Sequence, residues 1–583
     1  MKWIKRPVSD SYELFVKNGY SRVIATTLAT SGISTLEDAK EFLESKKLHN
    51  PALIRNIEDA ISIMEKFIET KERICIFGDY DADGTTATAI AFTALSTFGA
   101  NVVYRLPDRI YEGYGISQKA ISEQLAEGTK LFITVDNGIR AIKEIEFARA
   151  NGAQVIVLDH HQPGEVLPNP DVLIDLYVEG ETYPFKDLTG SALAWKVFSY
   201  LLEKYGFEEI AESLIDLAAI GTIADVASLV GENRAIVKRA IDYMRSPIYS
   251  RKGIKRLFND DMSSITAENI SFLVAPRINA AGRLLENGAN IPVALFLEED
   301  DIKASELASQ LSKINSERKQ IQSKCYEELK PSIEEQINAG NKVLVLFAKD
   351  APSGVVGLLA GNATEDYHRP TIVFSEKYAA DGSIVWTGSA RSIEQYHILN
   401  ALEECSDCLD HFGGHALAAG MSIFPSEDAL LKLRKALNDK CTLTDEDVEK
   451  CIYWDIEISE EDVADTLISD LRKLEPFGEG CRRPTFKIKL NVLPNGSKLY
   501  DTIGETGDHL KLYCNGFTAV GFWMVKRYVE EDNQPRVIEA LGYVDKKNFK
   551  GNEYFQFVMD DYFPYTKEDS SLLCDLKDLL LNL

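Results

Sequence analysis

Short apolar runs alternate with stretches of helical spacing between about residues 73 and 180. The runs are RICIF, NVVYRL, LFITVD, QVIVLD and DVLID, and the stretches between them include SQKAISEQLAEG and AIKEIEFARANG. Each run has the length and composition of a buried strand, whereas the intervening stretches repeat apolar residues at the spacing of a helix. Regular alternation of strand and helix predicts an α/β fold with a doubly wound parallel sheet.

An acidic turn follows the first of these runs. In IFGDYDADGT, Asp79, Asp81 and Asp83 stand at alternate positions. Three carboxylates this close repel one another unless a cation lies among them. A calcium loop of the EF-hand type would need a Glu at its twelfth position, which is Ile90 here, and would follow a helix and not a strand. Because ligands bind at the carboxyl ends of strands in open α/β sheets, the turn predicts a cation site at a strand tip.

Three further segments end in residues that bind metal ions. Asp136 follows LFITV, the sequence Asp159, His160 and His161 follows QVIVL, and the helical LIDLAAIGTIADV carries Asp225. Each residue alone is compatible with a turn, a helix end or a solvated loop. Together with the acidic turn, however, Asp136 and the Asp159–His161 sequence are delivered by three successive parallel strands to one edge of a sheet. Aspartate oxygens with one or two His nitrogens favour Mn²⁺ or Mg²⁺ over zinc. So many carboxylates indicate two ions ~3.5–4 Å apart, as in phosphodiester hydrolysis.

The remaining chain predicts further domains. Residues 300–337 have the pattern of a long helix with one proline, a second α/β unit begins at NKVLVLFA, and short alternating strands from about residue 451 predict a small barrel, most simply an OB-fold. We therefore expect an α/β multidomain protein. Its predicted parts are an N-terminal segment with the first α/β domain (1–298), a connecting helix (299–338), a second α/β domain (339–445), an OB-fold β-barrel (446–566) and a C-terminal helix (567–583).

Composition excludes some classes of protein. The formal charge of −27 argues against a protein that coats nucleic acid with its whole surface, although a basic channel in an acidic body remains compatible with it. Nine scattered cysteines indicate reduced thiols. In CSDCLDHFGGH the cysteine pair and the histidine pair stand too close together for a typical structural zinc module.

No apolar run approaches the ~20 residues of a membrane span, so we expect a cytoplasmic protein without a membrane segment.

Several motifs carry a family resemblance. DYDADG, VDNG, LDHH and GTIADV, in this order and spacing, resemble the four motifs of the DHH phosphoesterase superfamily. The fuller pattern is similar to the RecJ family of single-strand-specific 5′→3′ DNA exonucleases, and it runs through nearly the whole chain. The further RecJ-like segments are LPDRIYEGYG (106–115), APRINAAGRL (275–284), GSARSI (388–393), FGGHALAAG (412–420) and LEPFGEG (474–480).

The resemblance implies an architecture, an activity and a metal site. It implies a DHH domain, a long helix, a DHH-associated domain and an OB-fold, with hydrolysis of single-stranded DNA to mononucleotides from the 5′ end in recombination and repair. His161, Asp136 and Asp79 are the predicted catalytic residues. Asp79 either binds an ion or supports a ligand, and His161 either contacts the scissile phosphate or hydrogen-bonds to a ligand. The predicted ligands of two Mn²⁺ or Mg²⁺ ions are Asp79, Asp81, Asp83, Asp136, His160 and Asp225.

The same resemblance implies contacts with the DNA strand. Arginine suits bidentate contact with phosphate, and Ser389 with Arg391 resembles the pocket for a 5′-terminal phosphate. Tyr111 and Tyr114 are candidates for stacking on bases of any identity. The predicted nucleic-acid-binding residues are Arg109, Tyr114, Arg277, Asn279, Arg283, Ser389, Arg391, Gly414 and His415.

Two departures from the family bear on strand binding. Pro352 stands where RecJ proteins typically carry His, and Gly361-Asn362 stands where Ser-Arg is usual. These two departures affect the predicted recognition of the strand end, whereas the predicted hydrolytic residues are unaffected. The alternatives are a DHH phosphodiesterase of short oligoribonucleotides or cyclic dinucleotides, and a non-catalytic DHH replication scaffold. The resemblance further suggests a monomer that works with single-strand-binding protein and a helicase.

Overall fold

The computed structural model describes residues 2–109, 112–113, 115–378, 383–504, 506–549 and 552–565. The chain divides into two compact units, one formed by Met1–Glu44 with Cys451–Leu583 and the other by Ser45–Lys450. The N-terminal segment thus groups with the C-terminal part of the chain, whereas the sequence predicted it as part of residues 1–298. The predicted helix at 567–583 lies outside the described residues.

The N-terminal segment contains one strand and three helices. They are β1 (Lys2–Lys5), α1 (Ser11–Lys17), α2 (Arg22–Thr30) and α3 (Leu36–Glu44).

The first α/β domain is built on a five-stranded parallel sheet. Its elements are α4 (Ile57–Thr70), β2 (Arg73–Phe77), α5 (Ala82–Thr97), β3 (Val102–Arg105), α6 (Gln118–Ala126), β4 (Thr129–Val135), α7 (Ile142–Ala150), β5 (Gln154–Asp159), β6 (Val172–Asp175), α8 (Gly190–Lys204), α9 (Glu208–Ser213), α10 (Ile215–Ala224), α11 (Gly231–Arg245), α12 (Lys252–Leu257), α13 (Ala267–Asn269), α14 (Ala275–Leu284) and α15 (Asn290–Leu297). The strand order β3-β2-β4-β5-β6 and the parallel pairing confirm the doubly wound sheet.

The strand order reverses beside β2. The chain passes from β2 to β3 on one side and then returns to β4 on the other side of β2. The connections after β2 and β4 therefore leave the sheet in opposite directions. This creates the crevice in which α/β proteins of this kind bind their ligands.

A single long helix connects the two α/β domains. This helix, α16 (Asp301–Asn338), has 38 residues and contains Pro331. The side chain of Asp300 caps its first turn by accepting hydrogen bonds from the backbone N–H groups of Ile302 (3.0 Å) and Lys303 (2.9 Å). Within the part of the chain that the structure describes, none of the helices combines the length and the apolar character needed to cross a membrane.

The second α/β domain has a mixed sheet. Its elements are β7 (Leu344–Phe347), α17 (Ser353–Tyr367), β8 (Thr371–Tyr378), β9 (Ile384–Arg391), α18 (Ile398–Glu404), β10 (His411–Gly414), β11 (Ala418–Ile423) and α19 (Glu427–Asp439). The strands lie in the order β10-β11-β9-β8-β7, and only β7 and β8 pair in parallel. Cys405 and Cys408 of the CSDC sequence pack into the core of this domain.

The C-terminal domain contains a mostly antiparallel sheet. Its elements are β12 (Cys451–Trp454), β13 (Ile456–Ile458), α20 (Asp465–Leu474), β14 (Phe486–Asn491), β15 (Tyr500–Ile503), β16 (His509–Tyr513), β17 (Phe517–Gly521), β18 (Val537–Phe549) and β19 (Asn552–Pro564). The order is β13-β14-β18-β19-β17-β16-β15. The backbone N–H of Leu493, just after β14, donates to the carbonyl of Tyr513 in β16 at 2.8 Å. This bridge closes β14, β18, β19, β17 and β16 into a barrel.

Backbone and side-chain contacts fasten the N-terminal segment to this domain. Strand β1 pairs in parallel with β12. The indole N–H of Trp3 donates to Asp561 at 2.8 Å, and the guanidinium of Arg6 contacts both carboxylate oxygens of Asp455 at 3.0 Å. These contacts explain why residues 2–44 belong to the C-terminal unit.

Candidate active site

The acidic side chains converge at the point where the strand order reverses. Asp79, Asp81 and Asp83 follow β2, and Asp136 follows β4, its neighbour in the sheet. The potential ligand atoms form three groups, and within each group all the atoms lie within 4.8 Å of one another. The groups are Asp79 with Asp81 and Asp136; Asp83 with His160 and Asp225; and Asp136 with His160 and His161. The structure thus brings together all six residues that the sequence predicted as metal ligands.

The carboxylate of Asp83 is fixed by the start of helix α8. The backbone N–H groups of Gly190 and Ser191 donate to its two oxygens at 2.6 and 3.0 Å. Helix N-termini carry partial positive charge and unpaired N–H groups, so they stabilise an anion in this position. Gly190 leaves room for the site, because a Cβ there would lie 2.5 Å from the Cβ of Asp136.

Asp79 and Asp136 are buried carboxylates that suit a cation. Asp79 is 1% exposed, and its Oδ1 atom has no hydrogen-bond partner among the described residues. Burial and the charge of Asp81 raise the pKa of Asp79 well above its usual value. Burial and the charge of Asp83 do the same for the pKa of Asp136. A buried oxygen without a donor is costly unless a proton or a metal ion occupies the position in front of it. The carboxylates therefore fit divalent cations.

Asp225 ends helix α10 at the rim of the site. The residue as a whole is exposed to solvent. Partial burial of its carboxyl group, together with the charges of Asp83 and Asp81, raises the pKa of Asp225 to about 8. A divalent cation would relieve the same repulsion.

His160 points at the carboxylates. Its Nε2 atom lies 3.0 Å from Asp136 Oδ1 and 3.7 Å from Asp83 Oδ2. Burial lowers the pKa of His160, which favours the neutral imidazole. A metal ion requires a neutral imidazole as its ligand, so the electrostatics agree with the position of the ring.

His161 is oriented by a different carboxylate. Its Nδ1 atom lies 2.7 Å from Oδ1 of Asp159; the carboxylate of Asp159 also accepts hydrogen bonds from the backbone N–H groups of Ile139 and His160, each at 2.8 Å. Burial lowers the pKa of His161, but the hydrogen bond and charge of Asp159 outweigh it and raise the pKa to about 9. The side chain is 40% exposed. His161 is therefore a partly accessible imidazolium at neutral pH.

Three of the predicted arginines form a second cluster. The guanidinium of Arg109 lies 4.9 Å from the centre of the Tyr80 ring. Burial and then the charge of Arg109 lower the pKa of Arg283 to about 10, and the same two causes lower the pKa of Arg391. The charge of Arg109 thus acts on both of the other guanidinium groups. We call Arg109, Arg283 and Arg391 the arginine cluster.

Helix α17 packs against this cluster. Arg283 donates to the backbone carbonyl of Gly354 at 3.0 Å. A Cβ at Gly357 would lie 3.0 Å from Ser389 Oγ and 3.3 Å from a guanidinium nitrogen of Arg391. Arg391 also donates to Ser389 Oγ at 3.2 Å. Ser389 and Arg391 therefore form one polar surface beneath the helix.

The other predicted strand-binding residues lie in varied places. Asn279 accepts a hydrogen bond from the backbone of Ala82 at 2.9 Å, so its side chain supports the acidic turn. Arg277 donates to the carbonyl of Leu257 at 2.7 Å. Tyr114 and Tyr111 lie outside the described residues.

Gly414 and His415 lie on the same sheet as Ser389 and Arg391. Gly414 pairs with Ala419 of β11, and Ala419 pairs with Ala390 of β9. The φ of Gly414 is +155°, and a Cβ there would lie 2.3 Å from the carbonyl oxygen of Ala418, so only glycine fits. The backbone N–H of His415 donates to the same carbonyl at 2.8 Å.

Some contributors to the site are absent from the sequence predictions. Gly190 and Ser191 bind Asp83, and a Cβ on Gly221 would lie 2.5 Å from the same carboxylate. Asp175 lies beside Asp159 at the end of β6, and its Oδ2 atom has no hydrogen-bond partner among the described residues. One sequence signal was available for the first pair, since Thr189 followed by small residues and an apolar run is typical of a helix start.

Three family models match successive parts of the chain. Residues 73–222 match the DHH family, N-terminal domain; residues 340–442 match the DHHA1 domain; and residues 454–561 match the RecJ OB domain. These ranges cover the parallel sheet with its acidic residues, the second α/β domain and the barrel.

Relatives match over nearly the whole chain. The single-stranded-DNA-specific exonuclease RecJ of Dickeya dadantii is 30% identical over 565 residues, which cover 92% of this chain and 95% of that protein. This chain belongs to the RecJ family. RecJ of Escherichia coli K12 is 31% identical, with 88% of this chain and 91% of the relative covered. RecJ of Bacillus subtilis is 35% identical over 88% of this chain, but the match spans only 64% of that longer protein.

Solved structures of RecJ share the fold. RecJ in complex with Mn²⁺ from Thermus thermophilus matches with a TM-score of 0.78 and 26% identity, covering 97% of this chain and 80% of that one. Exonuclease RecJ bound to manganese matches with a TM-score of 0.56 and 32% identity over 66% of this chain and 94% of that one. The predicted family and fold are therefore confirmed.

Proposed function

We propose that this chain is a metal-dependent exonuclease that hydrolyses single-stranded DNA to mononucleotides in the 5′→3′ direction. The observation that carries the proposal is the convergence of carboxylates and an imidazole at the crevice beside β2, with an arginine cluster in the same compact unit. The names of the RecJ relatives support the same substrate class.

The ligands of the metal ions would be Asp79, Asp81, Asp83, Asp136, His160 and Asp225. Two divalent cations, Mn²⁺ or Mg²⁺, supply hydroxide from water at neutral pH and neutralise charge on the attacking and leaving oxygens when bound. Hydrogen bonds within the protein already fix the positions of two of these carboxylates. The backbone of α8 fixes Asp83, and the side chain of Asp81 accepts a hydrogen bond from Gly84 at 3.0 Å.

His161 would stabilise charge on the scissile phosphate. Because its pKa is about 9, the ring is positively charged at neutral pH and can donate a hydrogen bond to a phosphate oxygen. Asp159 holds the ring through Nδ1, so Nε2 is the atom available for the substrate. Asp159 thus positions His161, while Asp136 and Asp79 act through the cations.

The arginine cluster would bind the phosphates of the strand. Guanidinium groups contact phosphate without reading the base, which allows a nuclease to degrade any sequence. We assign the 5′-terminal phosphate to Arg109, Ser389 and Arg391, with Arg283, Arg277, Asn279, Gly414 and His415 contacting the strand or supporting its binding residues. Tyr114 and the OB domain would add stacking surfaces for bases.

Substitution of Asp136 tests the metal mechanism. Asp136→Asn keeps the shape of the side chain but removes its charge at the centre of the ligand set. We expect hydrolysis of a 5′-labelled single strand with Mn²⁺ to fall by at least ~10³-fold, while binding of the strand remains measurable. Asp439→Asn, which changes an exposed helix residue paired with Lys435, serves as the matched control. Activity that survives Asp136→Asn would rule out the proposed site.

Substrate comparison tests the polarity and separates the alternatives. We expect mononucleotide release from the 5′ end of single strands and little from duplex DNA. Faster hydrolysis of dinucleotides or cyclic dinucleotides than of long strands would instead identify a small-substrate DHH phosphodiesterase. Metal-independent strand binding without hydrolysis would identify a replication scaffold.

The biological setting and the domain limits are part of the same proposal. A nuclease restricted to single strands requires another protein to open the duplex, so we propose that it works with a helicase and single-strand-binding protein in DNA repair and recombination. We further propose a monomer in the cytoplasm. The proposed domain limits are residues 45–298, 299–338, 339–445 and 446–566, with the N-terminal segment joined to the C-terminal unit and not to residues 45–298.

A further inference from the structure

Helix α16 carries a buried arginine that the proposed mechanism does not yet use. Arg318 is 8% exposed. Its guanidinium donates to the side-chain oxygens of Asn315, at 2.7 Å, and of Gln322. Among the described residues, Arg318 forms no ion pair with a carboxylate, so its charge is held by neutral amides. A buried charge without a counter-ion is costly, and it indicates that an anion is the missing partner.

The position of Arg318 identifies where that anion would bind. Burial and the charges of Arg109 and Arg318 lower the pKa of Arg283 to about 10, so the charge of Arg318 acts on the arginine cluster. Helix α16 packs against both α14, which carries Arg283, and α17. Gln322 also donates to the side chain of Asn362 on α17 at 3.2 Å. Arg318 therefore lies on the helix that packs against α14 and α17, and hydrogen bonds to Asn315 and Gln322 fix its side chain.

We propose that Arg318 is a positioning residue of the 5′-terminal phosphate site, and that its charge strengthens the binding of that phosphate by the arginine cluster. Asn315 and Gln322 hold the guanidinium in place, and Asn362 accepts a hydrogen bond from Gln322. The residue Asn362, which stands where the family resemblance predicts Arg, thus takes part in orienting a cation from the connecting helix. This inference rests on the proposed function, because it concerns the substrate end of the same site.

A purely structural role makes a different prediction. If Arg318 only joined α16 to α17, its loss would weaken binding of every strand equally or lower the stability of the unit. A role in phosphate binding instead affects strands that carry a 5′-phosphate and spares strands that end in a 5′-hydroxyl. The ratio of the two dissociation constants separates these roles.

The experiment measures binding of 5′-phosphoryl and 5′-hydroxyl single strands to protein that also carries Asp136→Asn, so that no strand is degraded. With Arg318→Gln we expect the Kd of the phosphoryl strand to rise about tenfold and that of the hydroxyl strand to remain within about twofold. Arg318→Lys, which keeps the charge, should restore most of the preference. Arg239→Gln, at an exposed arginine paired with Glu212, is the matched control and should change neither Kd.

An unchanged ratio with Arg318→Gln, or equal weakening of both strands, would overturn the inference. If that variant does not fold, Gln322→Ala tests the same point, because it removes the acceptor that orients Arg318 and keeps the charge. We then expect a roughly threefold loss confined to the phosphoryl strand, and an unchanged ratio would again overturn the inference. The proposed function is tested separately, since it fails if the unmodified protein hydrolyses neither strand with Mn²⁺.

Discussion

At the scale of single residues, two adjacent histidines have pKa values that are shifted in opposite directions. His160 faces the carboxylates of Asp136 and Asp83, and its burial favours the neutral ring. His161 is bound to Asp159, which keeps it positively charged. The difference arises because burial dominates at His160, whereas the hydrogen bond and charge of Asp159 outweigh burial at His161. It gives one histidine the properties of a ligand and the other those of a phosphate-binding cation.

Removal of the charge of Asp159 should change the pH dependence of hydrolysis. Asp159→Asn removes the negative charge that raises the pKa of His161 to about 9, so that pKa should fall toward its usual value near 6.5. The cationic form would then be lost at a lower pH. We expect the ratio of kcat at pH 8.5 to kcat at pH 6.5 to decrease by about tenfold. His161→Gln should remove this pH effect, and an unchanged profile in Asp159→Asn would contradict the assigned role.

The sequence predicted which acidic and imidazole side chains converge better than it predicted the groups that hold them in place. Asp79, Asp136 and His160 each follow a predicted strand, and the carboxyl ends of parallel strands meet at one edge of a sheet. Gly190 comes from a helix more than 100 residues after Asp83 in the chain. No local pattern connects the two, because their contact depends on how α8 packs against α5. Such supporting residues become visible only once the tertiary structure is known.

At the scale of elements, individual strands and helices were more predictable than their neighbours in space. RICIF forms β2, and the polar stretch after residue 300 forms α16. The order β3-β2-β4 and the pairing of β1 with β12 had no sequence signal. Apolar alternation reports which face of an element is buried, but it does not report which partner covers that face.

Proline in the connecting helix should reduce the stability of the unit formed by residues 45–450. Pro331 lies inside α16 and cannot donate a hydrogen bond to the carbonyl of Glu327. We expect Pro331→Ala to raise the free energy of unfolding of this unit by about 2 kcal/mol. Chemical denaturation measures the change. Glu334→Ala, on the same helix, is the control and should change stability by less than about 0.5 kcal/mol. A loss of stability in Pro331→Ala would show that the helix requires the proline.

At the scale of the whole molecule, the chain combines a strongly acidic composition with a local cluster of cations. The formal charge is −27, yet the charge of Arg109 lies close enough to Arg283 and Arg391 to lower the pKa of each. An acidic surface repels duplex DNA and other nucleic acid from most of the molecule. Strand binding is therefore expected at the arginine cluster and not across the general surface.

Metal ions should stabilise one of the two units and not the other. All the predicted ligands belong to the unit of residues 45–450, so Mn²⁺ should raise the unfolding midpoint of one calorimetric transition. Without metal, raised carboxyl pKa values such as about 8 for Asp225 mean that stability falls as the pH rises through them. Cations replace those protons, so the Mn²⁺-induced shift should be larger at pH 8.5 than at pH 6.5.

A chelator and an inactive variant complete that measurement. Addition of chelator should reverse the shift, and Asp136→Asn should show a much smaller one. Equal shifts of both transitions, or a shift that decreases as the pH rises, would contradict a carboxylate site confined to this unit.

The pairing of β1 with β12 also affects how the chain folds during synthesis. Arg6 and Asp455, which meet beside these strands, are 449 residues apart. At ~5–20 residues per second, a ribosome needs roughly 20 to 90 s to make the partner after the N-terminal strand has emerged. The unit of residues 45–450 has time to fold first. During that time Trp3 and Ile4 lack the C-terminal strand and side chains against which they pack. The earliest residues to be made are thus among the last to reach their final place, and a nascent chain that stops before residue 451 would leave them available to chaperones and proteases.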